Sequence, residues 1–312
     1  MNYDSKTDFG DPLRMDWTWK LIAMILCLGV GWLLGSALNG IWATLADIDS
    51  RALLQSFGEE STLRDRNLMR LFNLTAHFCT FTLSGLLIGV VVFRRGWSRE
   101  FGLSAGIRPA ALFSAALLGM TIFPLAQAVY WLNQQIPLPE ALVSQESKTD
   151  AMVAGLMIMD SGWELAFNLL IAALAPAIGE ELIFRGLVQN QLEKQTGRTH
   201  LAVWVTAAVF SAIHFQFAGF LARMLLGAVL GYTLVWTRSL WAPIALHFVF
   251  NGWQVVGAYL AGEHPEIAKP DTPVAPSIPL VIISVLLTFA LVRRLWKEGE
   301  SPTSPEASSD GR

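Results

Sequence analysis

Residues 21–45 form an uninterrupted run of 25 residues without a charge, and several comparable runs follow, separated by short charged loops. A helix needs about 20 apolar residues to cross a hydrocarbon core roughly 30 Å thick. Inside that core the backbone must satisfy its own hydrogen bonds, so such runs fold as membrane helices. Composition agrees: only 15% of the residues are charged and the mean hydropathy is +0.46, whereas soluble domains carry about 25% charged residues. A soluble protein with buried helices would not need so many span-length runs. The expected fold is an all-α polytopic membrane protein with about eight transmembrane helices in a bundle.

The expected spans are residues 21–45, 71–93, 110–132, 163–187, 201–217, 219–237, 240–259 and 280–292. The sixth is the least regular pattern, because Arg223 precedes an apolar run of only residues 224–236. Residues 1–20 read as a polar tail, 21–162 as the N-terminal helices and loops, and 163–259 as the core that carries the unusual polar residues. Residues 260–296 supply a Pro-rich loop and the last span. Residues 297–312, rich in Ser, Pro and Glu, read as disordered. Residues 1–20 lack the basic, apolar and cleavage layout of a signal peptide, so the first run reads as a retained span. Gly31 and Gly35 form a GxxxG pair that can seat a neighbouring helix closely. Between the third and fourth spans, residues 151–159 suggest a short interfacial helix.

Eight spans place both termini on one side. Lys6, Arg14, Lys20, Arg94, Arg95, Arg99, Arg108, Lys194, Arg198, Arg238, Arg293, Arg294 and Lys297 then share that side, against Arg51, Arg64, Arg66, Arg70, Lys148 and Lys269 on the other. The bias predicts N-in, C-in, with the first outer loop an imperfect fit. No basic tract points to nucleic acid. Cys27 and Cys79 lie in separate apolar runs and read as small buried residues. The expected partners are membrane lipid and whatever the polar residues act on; the oligomeric state is left open.

Those polar residues stand out because ionisable groups at membrane depth are expensive and mark functional sites by default. The set is Glu180, Glu181, Arg185, His214, His247 and Asn251. Glu181 and Arg185 are i,i+4 and can pair on one helix face, a structural salt bridge. Glu180 is turned about 100° away and faces something else. Pro176, four residues before Glu180, predicts a kink or unwinding beside it. Phe210 and His214, and likewise His247 and Asn251, are i,i+4 pairs on two further spans. His77, near the start of the second span, reads as a packed or interfacial residue.

A carboxylate and an imidazole can share a water and remove its proton. A second imidazole and an amide can donate hydrogen bonds to the oxyanion formed when a peptide carbonyl is attacked. Glu180, His214 and His247 are equally a ligand set for a divalent metal such as zinc, although no HExxH is present. Residue types alone leave hydrolysis, a proton pathway and a non-catalytic role open.

In order, Glu180-Glu181-x-x-x-Arg185, Phe210-x-x-x-His214 and His247-x-x-x-Asn251 resemble the three motifs of the CPBP intramembrane proteases. This group is also called the CAAX protease and bacteriocin-processing (Abi) family, and it includes the type II prenyl-protein endopeptidases. The resemblance covers roughly residues 163–259. It implies a bundle with an intramembrane cavity open to the cytoplasmic side, in a bacterial plasma membrane. It also implies an endopeptidase, usually labelled a metalloprotease, acting on membrane-associated proteins or peptides. By motif position Glu180 would be the general base and His214 would help orient and deprotonate water. His247 and Asn251 would stabilise the oxyanion, with Glu181, Arg185 and Phe210 in support.

Overall fold

The computed structural model describes residues 17–263 and 275–300, and within them the protein is all helix and connecting turns. Nine helices organise it: α1 (Trp17–Leu45), α2 (Leu63–Phe93), α3 (Pro109–Asn133), α4 (Glu140–Leu156), α5 (Gly162–Thr196), α6 (Thr199–Ala212), α7 (Phe220–Thr237), α8 (Trp241–Glu263) and α9 (Ile278–Glu300). Seven of the described helices are long and apolar enough to cross a membrane. Of these, α5 is the most buried, while α1 and α9 are the least. Residues such as Ile25, Leu26 and Val30 on α1, and Ile282, Leu286 and Phe289 on α9, point outward. Such faces suit lipid, and the helix they enclose is the one that carries the two adjacent carboxylates.

Several elements depart from the sequence expectation. The fifth span is only 14 residues, Thr199–Ala212, or about 21 Å at 1.5 Å per residue, short of the hydrocarbon thickness. An irregular turn follows, with Phe215 at φ 53°. The sixth span is better formed than its apolar run suggests, because Arg223 lies inside α7 and its guanidinium bonds the Gln216 carbonyl (3.2 Å) and side-chain oxygen (3.0 Å). The interfacial helix is Glu140–Leu156 rather than 151–159. Pro139 stands just before its first residue, and Glu146 is buried, accepting the Ala218 N–H at 3.0 Å. Mixed polarity hid its start. The last helix runs on to Glu300, so residues 297–300 are helical rather than disordered; an Arg294–Glu298 pair spans one of its last turns. The expected tail regions 1–16 and 301–312 lie outside the described residues.

The GxxxG pair works within the chain. A methyl group on Gly31 would sit 2.3 Å from the Cys79 carbonyl oxygen, and one on Gly35 would sit 3.0 Å from the Ala76 Cα. Here α1 rests directly on the backbone of α2, which Ser84 reinforces by donating to the Cys27 carbonyl at 2.8 Å.

The second span begins earlier than residue 71, at Leu63, capped by Thr62, which accepts the Asp65 N–H. This draws Arg66 and Arg70 into α2. Arg70 is fully buried and donates to Glu164 (2.5 Å), Asn168 (3.0 Å) and the Leu156 carbonyl (3.1 Å), while Arg66 pairs with Asp160 and Glu164. Two cations that fitted the charge bias poorly are therefore neutralised in a clamp joining α2 to the start of α5. Removing one partner of a buried pair strands the other and costs about 3–5 kcal/mol. Arg70→Ala is accordingly expected to lower the thermal unfolding midpoint in detergent markedly, while the surface change Arg51→Ala leaves it in place.

Candidate active site

The site is assembled on an interrupted helix. In α5, π-helical segments Leu169–Leu174 and Leu182–Gln189 flank the α-helical turns Ala175–Glu181. Such π segments frequently occur at functional sites. Glu180 and Glu181 lie at the end of the central piece, and both are buried.

Glu181 is paired twice through one oxygen. Its Oε1 accepts from Arg185 at 3.0 Å and from His247 Nδ1 at 2.8 Å. Arg185 sends a second bond to the Gly227 carbonyl on α7 at 2.9 Å, and its guanidinium carbon stands 4.6 Å from the Phe210 ring centroid. One arginine thereby ties α5, α6 and α7 together and holds the carboxylate that orients His247 on α8. A carboxylate only accepts, so Nδ1 of His247 carries the proton it shares with Glu181.

Glu180 faces imidazoles instead. His77 Nε2 lies 3.2 Å from its Oε1, and His247 Nε2 lies 4.0 Å from its Oε2. His214 is fixed differently. Its Nδ1 donates to the Phe210 carbonyl at 2.8 Å, which leaves Nε2 as the basic nitrogen of the neutral ring. The Phe210 ring meets His214 edge to face at 5.1 Å, His247 at 6.0 Å and Phe184 at 5.2 Å. Phe210 thus sets the spacing of two imidazoles, with Ile183, Phe184 and Ile244 in the same apolar cluster.

Asn251 takes part in a backbone repair. Pro176 has no N–H to give to the carbonyl of Ala172, four residues earlier. Asn251 Nδ2 donates to that carbonyl at 3.1 Å. The second amide hydrogen of Asn251 is not needed for this bond. The arrangement predicts coupling. Asn251→Ala should destabilise the protein by roughly 1 kcal/mol, the usual size of an interhelical hydrogen bond in membranes. Adding Pro176→Ala should restore most of that loss, because residue 176 then supplies its own donor. Thermal unfolding of the two single variants and the double variant in detergent checks this.

The structure thus brings together Glu180, Glu181, Arg185, Phe210 and His247, joins His214 to them through Phe210, and draws Asn251 toward Ala172. His77 is the residue that sequence reasoning passed over. The signal was present, since a histidine within a membrane helix carries the same burial cost that drew attention to Glu180. The structure does not group Glu180, His214 and His247 as a preformed ligand set: among the described residues, no three His, Cys, Asp or Glu side chains are so placed.

Residues 162–253 match the family model described as type II CAAX prenyl endopeptidase Rce1-like. The chain is also 27% identical over 108 residues to the uncharacterized protein YpbD of Bacillus subtilis (strain 168). That alignment covers 33% of this chain and 51% of YpbD, so the chain spans about half the length of this curated relative. No solved structure matches the chain significantly. The matched stretch holds all three motifs, and residues 162–253 are similar to the Rce1-like type II CAAX prenyl endopeptidases.

Proposed function

We propose that this protein is an intramembrane endopeptidase that hydrolyses peptide bonds of membrane-associated proteins or peptides, in the manner of a CAAX prenyl protease. The observation that carries the reading is the unequal treatment of two adjacent buried carboxylates. Glu181 is locked by a guanidinium and an imidazole, whereas the side chains in direct polar contact with Glu180 are imidazoles. A structural acid needs a permanent counterion; a general base needs neighbours that let it take and return a proton.

In this reading a water lies between Glu180 and His214 Nε2. Glu180 takes its proton as the water oxygen attacks the scissile carbonyl. Negative charge moves to the carbonyl oxygen. His247, held through Nδ1 by Glu181, stabilises that oxyanion from its Nε2 side. The free amide hydrogen of Asn251 donates as well, while its other hydrogen stays on Ala172. Preorganised donors of this kind supply much of the barrier reduction. The tetrahedral intermediate then collapses: the C–N bond breaks, and the proton held by Glu180 passes to the leaving amine. Every step uses side chains of this chain, so activity is expected to persist after exhaustive dialysis against a chelator. A loss reversed by zinc would instead bring Glu180, His214 and His247 together as ligands.

The membrane assigned by this reading is a bacterial plasma membrane, from the family likeness; counting Thr199–Ala212 as a short crossing puts both termini inside, an orientation that the charge bias of the loops supports. The test is cleavage of a farnesylated peptide ending in a CAAX sequence by the purified protein in lipid vesicles. Cleavage by the wild type and not by Glu180→Ala is expected. Cleavage of the unprenylated peptide alone would keep the endopeptidase and remove prenyl recognition. No cleavage, with proton-dependent solute flux instead, would make the protein a transporter.

A further inference from the structure

The segment matching the family begins at residue 162, yet a side chain from outside it is hydrogen-bonded to the proposed base. His77 belongs to α2, 103 positions before Glu180. Its side chain is 13% exposed, and its ring stacks on Phe81 with centroids 4.7 Å apart and planes 26° apart. The ring is therefore held in place before it meets the carboxylate.

The close approach depends on the residue beside Glu180. A methyl group on Gly179 would lie 2.7 Å from Thr82 Oγ1, 2.9 Å from Phe81 Cβ and 3.1 Å from His77 Cε1. Only the absence of a side chain lets α2 reach α5 here. The π-helical segment Phe78–Leu83 starts directly after His77 and provides both Phe81 and Thr82. The N-terminal helices are thus built against the motif helix at the level of Glu180.

The division of labour at the carboxylate follows from the two contacts. His77 approaches Oε1 at 3.2 Å, while His247 stands off Oε2 at 4.0 Å. A hydrogen bond to one oxygen fixes the plane of the group and leaves the other oxygen to act. We propose that His77 is a positioning residue for the hydrolysis: its Nε2–H donates to Glu180 Oε1 and turns Oε2 toward the water. This rests on Glu180 being the general base. It assigns a site function to a helix outside the family-matched segment.

The test uses the full chain in lipid vesicles with a peptide that the wild type cleaves, and reads kcat and KM separately. His77→Phe keeps a ring on Phe81 but loses the donor. It is expected to lower kcat about 10- to 100-fold, the scale of a misplaced catalytic group, with KM and the unfolding midpoint near those of the wild type. His77→Gln can present an amide N–H at the Nε2 position and should retain most of kcat. His77→Asn, too short to reach Oε1, should fall with the Phe variant, and it provides the comparison with Gln if the Phe variant does not fold. Equal kcat for Gln and Asn, or wild-type kcat for Phe, would overturn the proposal. Glu180→Gln separates the two readings. If it is inactive while His77→Phe is unimpaired, only the role of His77 fails. If Glu180→Gln still cleaves, the general-base assignment itself fails.

Discussion

Glu180→Gln is expected to leave an intact membrane protein that no longer cleaves. The amide has nearly the volume of the carboxylate, and His77 can still donate to the oxygen it now faces at 3.2 Å. No buried charge is stranded, because Arg185 and His247 keep Glu181 as their shared partner. Only basicity is lost. Removing a general base costs about 100- to 10,000-fold in rate, so turnover should fall below detection while expression and the unfolding midpoint stay near the wild type. A variant that cleaves at even a tenth of the wild-type rate would place the base elsewhere.

Arg185→Ala is expected to do the reverse, removing the protein before its chemistry can be measured. Glu181 has no exposed surface, and among the described residues Arg185 is its only guanidinium partner. The truncation also strips the donor from the Gly227 carbonyl and the cation from the Phe210 ring. Stranding a buried carboxylate costs about 3–5 kcal/mol, a large share of the total stability of most domains. Yield and unfolding midpoint should both collapse. Arg185→Lys should recover part of this, since a single ammonium keeps the charge but lacks the planar fork that reaches Glu181 and Gly227 together. The contrast between the neighbours is the diagnostic: the carboxylate bounded by imidazoles controls turnover, and the one bounded by arginine controls folding.

Much of this arrangement could be read from spacing. The i,i+4 relation of Glu181 and Arg185 gave their contact, and the 100° offset turned Glu180 toward different partners, as the structure places it. Span-length apolar runs located the membrane helices because burial of the backbone in lipid leaves little choice. What spacing could not supply was partnership between helices distant in sequence. Pro176 announces an unpaired carbonyl at Ala172, but only the packing of α8 on α5 makes Asn251 the donor. Arg66 and Arg70 look like loop cations until Asp160, just before α5, and Glu164 and Asn168, within it, arrive as partners. Thr199–Ala212 is short for a span, and its turn is anchored by Glu146 and Arg223, two charges that a hydropathy reading counts against a membrane segment. His77 belongs with these: a histidine on an apolar helix acquires meaning only when Gly179 lets its helix approach.

The most direct test compares membranes from cells expressing the wild type or Glu180→Ala at matched levels, with new peptide termini identified by mass spectrometry. The account predicts termini that appear only with the wild type and map to membrane-associated proteins near the bilayer surface. Identical terminus profiles, with Glu180→Ala still supporting whatever phenotype the wild type supports, would contradict it and leave the buried constellation as part of a non-catalytic membrane scaffold.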